Sequence, residues 1–209
     1  MPAAPTDFHV YEPAEGHGLR HDPFNAIIGP RPIGWISSLD AAGRANLAPY
    51  SFFNAFNYKP PIIGFSSIGD KDSIRNVRER GEFVWNLVTR NLAEQMNATA
   101  AHVPHDTDEF ELAGLTKAPS RRVAVPRVAE ARAAMECRVL QIVQLQDGQG
   151  RPVPSWLTLG EVVAVHIDRS LIRDGVYQTA EAHPILRAGR MGDYAEISPE
   201  IMFEMTRPD

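Results

Sequence analysis

From Arg31 to Asn86 the chain is a succession of short strand-like runs broken by turn residues, a pattern that hairpins can build and a parallel crossover sheet cannot. Ile33–Leu39 is the first run, and Asp40 with Ala41, Ala42 and Gly43 turns it back. Asn46–Phe53 is the second half of that hairpin; Pro49 lacks an N–H, which places it at an edge or a bulge. Ile62–Ser67 is a third run, apolar on both faces, and residues 68–71 make a tight loop. Asp72 is an N-cap type of residue, Ile74 and Val77 share a face, and Gly81 suits a left-handed C-terminus, so the spacing predicts a helix between them. Glu82–Val88 then returns as a strand.

Further along, Leu92–His102 reads as a second helix capped by Asn91. Residues 103–130 read as loops with one short helix near Glu109–Gly114. Ala134–Gln146 is a long strand, Asp147–Gly150 a hairpin turn, and Trp156–Asp168 the returning strand. On that return Leu157, Leu159, Val163, Val165 and Ile167 share one face, while Thr158, Gly160, Ala164 and His166 share the other with Val162. The expectation is a mainly β, antiparallel fold with peripheral helices, about six or seven strands forming a small barrel. A dinucleotide-binding doubly wound sheet is excluded, because no GxGxxG follows the first strand. A single domain accounts for residues 1–209, with an extended arm over 1–24, a core over 25–195 and a tail over 196–209.

The net charge of −5 argues against a nucleic-acid surface. The one cysteine, Cys137, has no internal partner and sits in the apolar run ECRVLQIV, where it reads as a small buried hydrophobe. No apolar run approaches the roughly 18 residues that span a bilayer. The N-terminus also lacks a basic region followed by an apolar core, so neither a membrane association nor a secretory signal is expected, and the expected compartment is the cytoplasm.

Three polar clusters interrupt the apolar runs: Ser37 and Ser38; Ser51, Phe52, Phe53 and Asn54; and Ser66 and Ser67. Hydroxyls at three strand ends could converge on one ligand, although each could equally bond its own backbone. The segment GDKDSIRN offers a helix start with free N–H groups, Lys71 before it and Ser73 in its first turn, a set suited to a phosphate. The same features describe an ordinary capped surface helix. His166 is a candidate general acid on its residue type alone, but one histidine on a strand also fits a structural or solvated role. His102 and His105 in HVPHDTDE have no spacing that a rigid metal-ligand pair would use, so no metal is expected there.

The strings RPIGWISSLDAAGRANLAPYSFFNAF and PPIIGFSSIGDKDSIRNVRERGEFVWNL, followed in order by GEVVAVHID and HPILRAGRMGDY, resemble the flavin reductase-like, FMN-binding split-barrel family over roughly residues 20–195. The resemblance implies a split β-barrel homodimer with one FMN per subunit near the dimer interface. It places Trp35, Ile36, Ser37 and Ser38 on the strand bordering the flavin, and Ser51, Phe52, Phe53 and Asn54 on the loop contacting ring and ribityl chain. It places Ser66, Ser67, Lys71, Asp72 and Ser73 at the phosphate end, and Arg190 and Tyr194 on a C-terminal segment approaching the cofactor. Short-chain reductases of this kind often carry Gly-Asp-His before the Gly-Glu-Val strand; here VPSWLTLGEV has Trp156 and no such histidine, which favours the flavoredoxin-like branch.

The implied activity is electron transfer from NAD(P)H to flavin or a downstream acceptor. The alternative is a flavin-binding redox carrier reduced by a protein partner. A third class, a split barrel using its groove for another ligand, stays open on the residues alone. A homodimer is expected to bury the apolar strand Ile62–Phe65 against its partner.

Overall fold

The computed structural model describes residues 7–208, so the part of the expected N-terminal arm over residues 1–6, and Asp209 of the tail, lie outside the described residues. In chain order the elements are α1 (Phe24–Ile27), β1 (Arg31–Pro32), β2 (Gly34–Leu39), β3 (Ala45–Tyr50), β4 (Phe53–Asn57) and β5 (Ile62–Ile68). Then come α2 (Asp72–Arg80), β6 (Glu82–Asn86), α3 (Ala93–Ala98), α4 (Glu109–Leu112), β7 (Lys117–Ala118) and β8 (Arg127–Val128). The long strands β9 (Ala133–Gln146) and β10 (Pro152–Ile167) follow, then β11 (Ile172–Arg173), β12 (Val176–Tyr177), β13 (Ile185–Arg187) and β14 (Tyr194–Glu196).

Seven strands form one curled antiparallel sheet in the order β3-β2-β6-β9-β10-β5-β4. A smaller sheet, β1-β13-β14, stands beside it, and Thr89 bridges to Pro184. β2 is covered on both faces, which is why its sequence does not alternate polar with apolar. Trp35 joins Leu47, Val88, Met96 and Phe110 in one buried cluster. Ile36 points the other way, to Tyr50, Phe65, Ile74, Val77 and Phe83 under α2. Gly160 permits this second packing, because a Cβ there would lie 2.4 Å from the Phe83 ring.

Several expectations are corrected. Asp72 is the first residue of α2 and Lys71 holds the cap position in extended conformation, with Gly81 left-handed at φ 68° at the other end. The helix expected from Leu92 to His102 is a short 3-10 turn, Arg90–Leu92, followed by α3; Thr89 rather than Asn91 precedes it. The run Asn46–Phe53 is not one strand: β3 stops at Tyr50, and Phe53 begins β4, which pairs with β5 instead. Pro49 is accommodated because β3 is an edge strand. Ile62–Phe65 is not an outer surface, since β5 lies between β10 and β4 with Ile63 and Phe65 buried. On β10, register shifts at Leu159/Gly160 and Val162/Ala164 break the simple alternation.

Candidate functional site

The start of α2, the end of β3 and the chain following α3 enclose a groove of about 330 Å³. Arg75 is the first residue of α2 whose N–H pairs within the helix turn, donating to the Lys71 carbonyl at 3.1 Å. The N–H groups of Asp72, Ser73 and Ile74 therefore stand at the positive end of the helix without main-chain partners among the described residues. Ser73 is buried and its Oγ accepts from Asn46 Nδ2 at 2.9 Å, leaving its own proton uncommitted. Lys71 is exposed on the groove wall. Its acidic neighbours are already engaged: Asp70 pairs with Arg78, and Asp72 with Arg75 and, at 2.6 Å, with His105 Nδ1.

Two further groups set the local electrostatics. Tyr50 presents a sealed hydroxyl with no hydrogen-bond partner among the described residues. Burial raises its pKa, and the neighbouring Ser73 and Ser67 hydroxyls temper the rise. Glu109, brought in by α4, accepts the Leu47 N–H at 3.0 Å, and burial raises its carboxyl above the ordinary range against the pull of that bond. The donor set at the start of α2, the free N–H groups of Asp72 and Ser73, a hydroxyl proton and an ammonium, fits a phosphate monoester.

Of the residues singled out in the sequence, Lys71, Asp72 and Ser73 line this groove together. Trp35, Ile36, Ser37 and Ser38 are fully buried. Trp35 Nε1 donates to Thr99 Oγ1 at 2.9 Å, and Ser38 Oγ accepts from Asn46 at 3.4 Å, so both stand directly behind residues of the groove wall. Ser37 Oγ donates to the Pro126 carbonyl at 2.6 Å, and Ile36 fills the core under α2. Ser51, Phe52, Phe53 and Asn54 form the corner from β3 into β4. The Ser51 carbonyl accepts from Arg31 Nε at 3.2 Å, the Phe52 ring lies under the Arg31 guanidinium, and Phe53 stacks on Trp85 at 5.8 Å. Asn54 is exposed and caps the Ala55 N–H.

Ser67 is buried at the end of β5 and donates to the Gly69 carbonyl at 3.4 Å, while Ser66 is partly buried beside it. Arg190 and Tyr194 belong to the β13–β14 hairpin. Tyr194 lines a second cavity, of about 560 Å³, with Arg90, Met96 and Asn97, which shares no lining residue with the groove. Arg190 is exposed and pairs with Asp193 at 3.1 Å.

Sequence reasoning passed over Asn46, Tyr50, Thr99 and Glu109 as groove residues, and His105 as a partner of the groove's Asp72. Asn46 and Tyr50 lie inside the NLAPYS run; His105 and Glu109 come from the loop-rich segment after α3, where no periodicity marks a role. His166 is structural in its contacts: its Nε2 meets Glu136 Oε1 at 2.5 Å. Glu136 is fully buried and accepts the Arg121, Arg122 and Val123 N–H groups; burial alone would raise its pKa, but His166 and these amides outweigh it and lower it.

Residues 29–185 match the flavin reductase like domain. The chain is 34% identical to nitrilotriacetate monooxygenase component B from Bacillus cereus, covering 87% of this chain and 90% of that one with a TM-score of 0.80. It is 29% identical to the 2-nitrobenzoate 2-nitroreductase of Pseudomonas fluorescens, covering 88% of each chain with a TM-score of 0.78. The flavoredoxin of Desulfovibrio vulgaris, at 22% identity over 85% of this chain and 90% of that one, shares the fold with a TM-score of 0.73. A domain match over three quarters of its length, on an antiparallel split barrel, means that the chain belongs to the flavin reductase-like family.

Proposed function

We propose that this chain holds FMN with its phosphate at the start of α2 and carries electrons from NAD(P)H through it to a flavin or another acceptor. The observation that carries the reading is the convergence of Lys71, the free helix-start N–H groups of Asp72 and Ser73, and the Ser73 hydroxyl on one groove. When bound, the flavin supplies hydride acceptance and one- or two-electron release. Lys71 and Ser73 hold its phosphate, and the Ser51–Asn54 corner borders its ring. Trp35 and Ser38 fix the wall from behind through Thr99 and Asn46. Ile36, Ser37, Ser66 and Ser67 support the same strands, and Arg190 and Tyr194 approach from the hairpin. The kinship with a monooxygenase component B and a nitroreductase supports oxidoreductase chemistry.

An anaerobic absorbance spectrum of the FMN-loaded protein, taken before and after NADH and then NADPH, tests this. Bleaching of the oxidised flavin bands is expected, and the faster donor identifies the physiological one. Bound flavin that stays oxidised with both donors would overturn the reductase reading. It would favour a redox carrier reduced by a protein partner. One observation favours that second reading: the position where short-chain reductases carry Gly-Asp-His holds Trp156, packed under the Arg78 guanidinium at 4.8 Å. Homodimerisation and a cytoplasmic setting belong to the same proposal; no helix among the described residues is long and apolar enough to cross a membrane.

A further inference from the structure

The small sheet beside the barrel places two arginines directly opposite each other. Arg31 on β1 and Arg187 on β13 are register partners, and Tyr194 on β14 is the register partner of Arg187. Directly opposed residues of an antiparallel pair project to the same face, where like charges repel. Neither guanidinium has a carboxylate partner within ion-pair distance among the described residues. The nearest candidate, Asp193, is engaged with Arg190 through its carboxylate at 3.1 Å, although Arg187 is close enough to help lower its pKa. Burial, and then the charge of Arg187, lowers the pKa of Arg31.

Main-chain carbonyls hold both forks in place. Arg31 donates to the Ser51 and Asn25 carbonyls, and Arg187 to the Asp193 and Met191 carbonyls. These contacts fix the geometry without neutralising charge. They leave Arg31 Nη2 and Arg187 Nε with no partner among the described residues, and neither atom is sealed from solvent. The flanks are aromatic: Arg31 lies over Phe52 and Arg187 over Tyr194, the latter at 4.8 Å. Two forks held by main-chain carbonyls, with open N–H groups, aromatic sides and no counter-ion among the described residues, form a receptor for a planar or tetrahedral oxyanion.

We infer that Arg31 and Arg187 bind the oxyanion group, phosphoryl or carboxylate, of the molecule that exchanges electrons with the flavin. The position supports that role, since Phe52 and Ser51, which contact Arg31, belong to the corner proposed to border the flavin ring. The site is distinct from the groove at α2, whose lining includes neither arginine and which takes its donors from the helix start. The assignment of an exchanging partner rests on the function proposed above; the assignment of an oxyanion site rests on the arginine pair alone.

The test is a calorimetric titration of the FMN-loaded full chain with pyrophosphate and, separately, with benzoate. FMN fills the α2 groove, so added anion reads the arginine pair. Binding is expected for at least one probe, with an affinity about tenfold lower in Arg187→Gln, as the loss of one charge-assisted fork predicts. Tighter pyrophosphate binding assigns the site to a nucleotide donor; tighter benzoate binding assigns it to a carboxylate-bearing acceptor. Should Arg187→Gln misfold by circular dichroism, Arg187→Lys keeps the charge and loses the fork, and reduced binding is expected there too. If neither probe binds the wild type, or if the folded variant binds like the wild type, the inference is overturned. If FMN itself does not bind, the proposed function fails, yet the same titration on Lys71→Ala, with the α2 groove disarmed, still reads the arginine pair.

Discussion

At the scale of single residues, the groove at α2 combines groups that attract an anion with one that repels it. Lys71 makes no ion pair among the described residues, and its sequence neighbours Asp70 and Asp72 are occupied by Arg78, Arg75 and His105. Lys71→Ala should weaken FMN binding about tenfold, or ~1.4 kcal/mol, with the fold intact; fluorescence quenching gives the affinity and circular dichroism the fold, and unchanged affinity would remove Lys71 from the site. Glu109 works in the opposite sense. Its carboxyl pKa is raised by burial, so the folded state holds that proton more tightly than the unfolded chain does. The contribution to stability is full below the unfolded value and is lost as pH rises through the raised folded value. An ionised Glu109 also faces the groove that is to receive a phosphate. Glu109→Gln, which can still accept the Leu47 N–H, should therefore match wild type in FMN affinity at low pH and bind more tightly at neutral pH. Comparing the two proteins at each pH cancels the titration of the phosphate itself, and equal affinities at neutral pH would show that the carboxylate exerts no such effect.

At the scale of elements, the close packing between β10 and β6 depends on a missing side chain. A Cβ on Gly160 would lie 2.4 Å from Phe83 and 3.1 Å from Cys137, both fully buried. Gly160→Ala should cost about 1–3 kcal/mol, read as a lower midpoint in urea. Gly148→Ala in the β9–β10 turn meets nothing within 4 Å and should leave that midpoint nearly unchanged. The sequence announces much of this layer. The hairpin β2–β3, the α2 stop at Gly81 and the β9–β10 hairpin follow from turn residues and apolar runs that act over a few positions. The break between Tyr50 and Phe53 does not, because both halves of that run are equally strand-like and only pairing with β5 separates them. The register shifts on β10 are hidden for the same reason. In the groove, Lys71 and Ser73 are legible from the helix-start chemistry. His105 and Glu109 are not, since their roles come from where a loop folds back onto Asp72 and Leu47.

At the scale of the whole molecule, the sheet leaves an edge that one chain does not cover. β9 pairs with β6 only as far as Arg138, so from Leu140 onward that side of the strand has no neighbour among the described residues. The same stretch exposes apolar side chains: Leu140, Val143 at 43% and Leu145 at 38%, with Phe56 of β4 at 53%. An unpaired edge bearing apolar side chains is a surface that folded proteins normally cover. The proposed homodimer would cover it, and this surface replaces Ile62–Phe65, which β10 and β4 already enclose. Light scattering coupled to size exclusion should therefore give twice the chain mass at micromolar concentration. Val143→Glu combined with Leu145→Glu places two charges on the exposed edge while leaving the buried clusters untouched, so it should give a folded monomer. If the flavin lies near that interface, the monomer should also bind FMN more weakly than the dimer does. A wild-type chain that runs as a monomer would rule the dimer out, and a double variant that stays dimeric would move the interface elsewhere on the molecule.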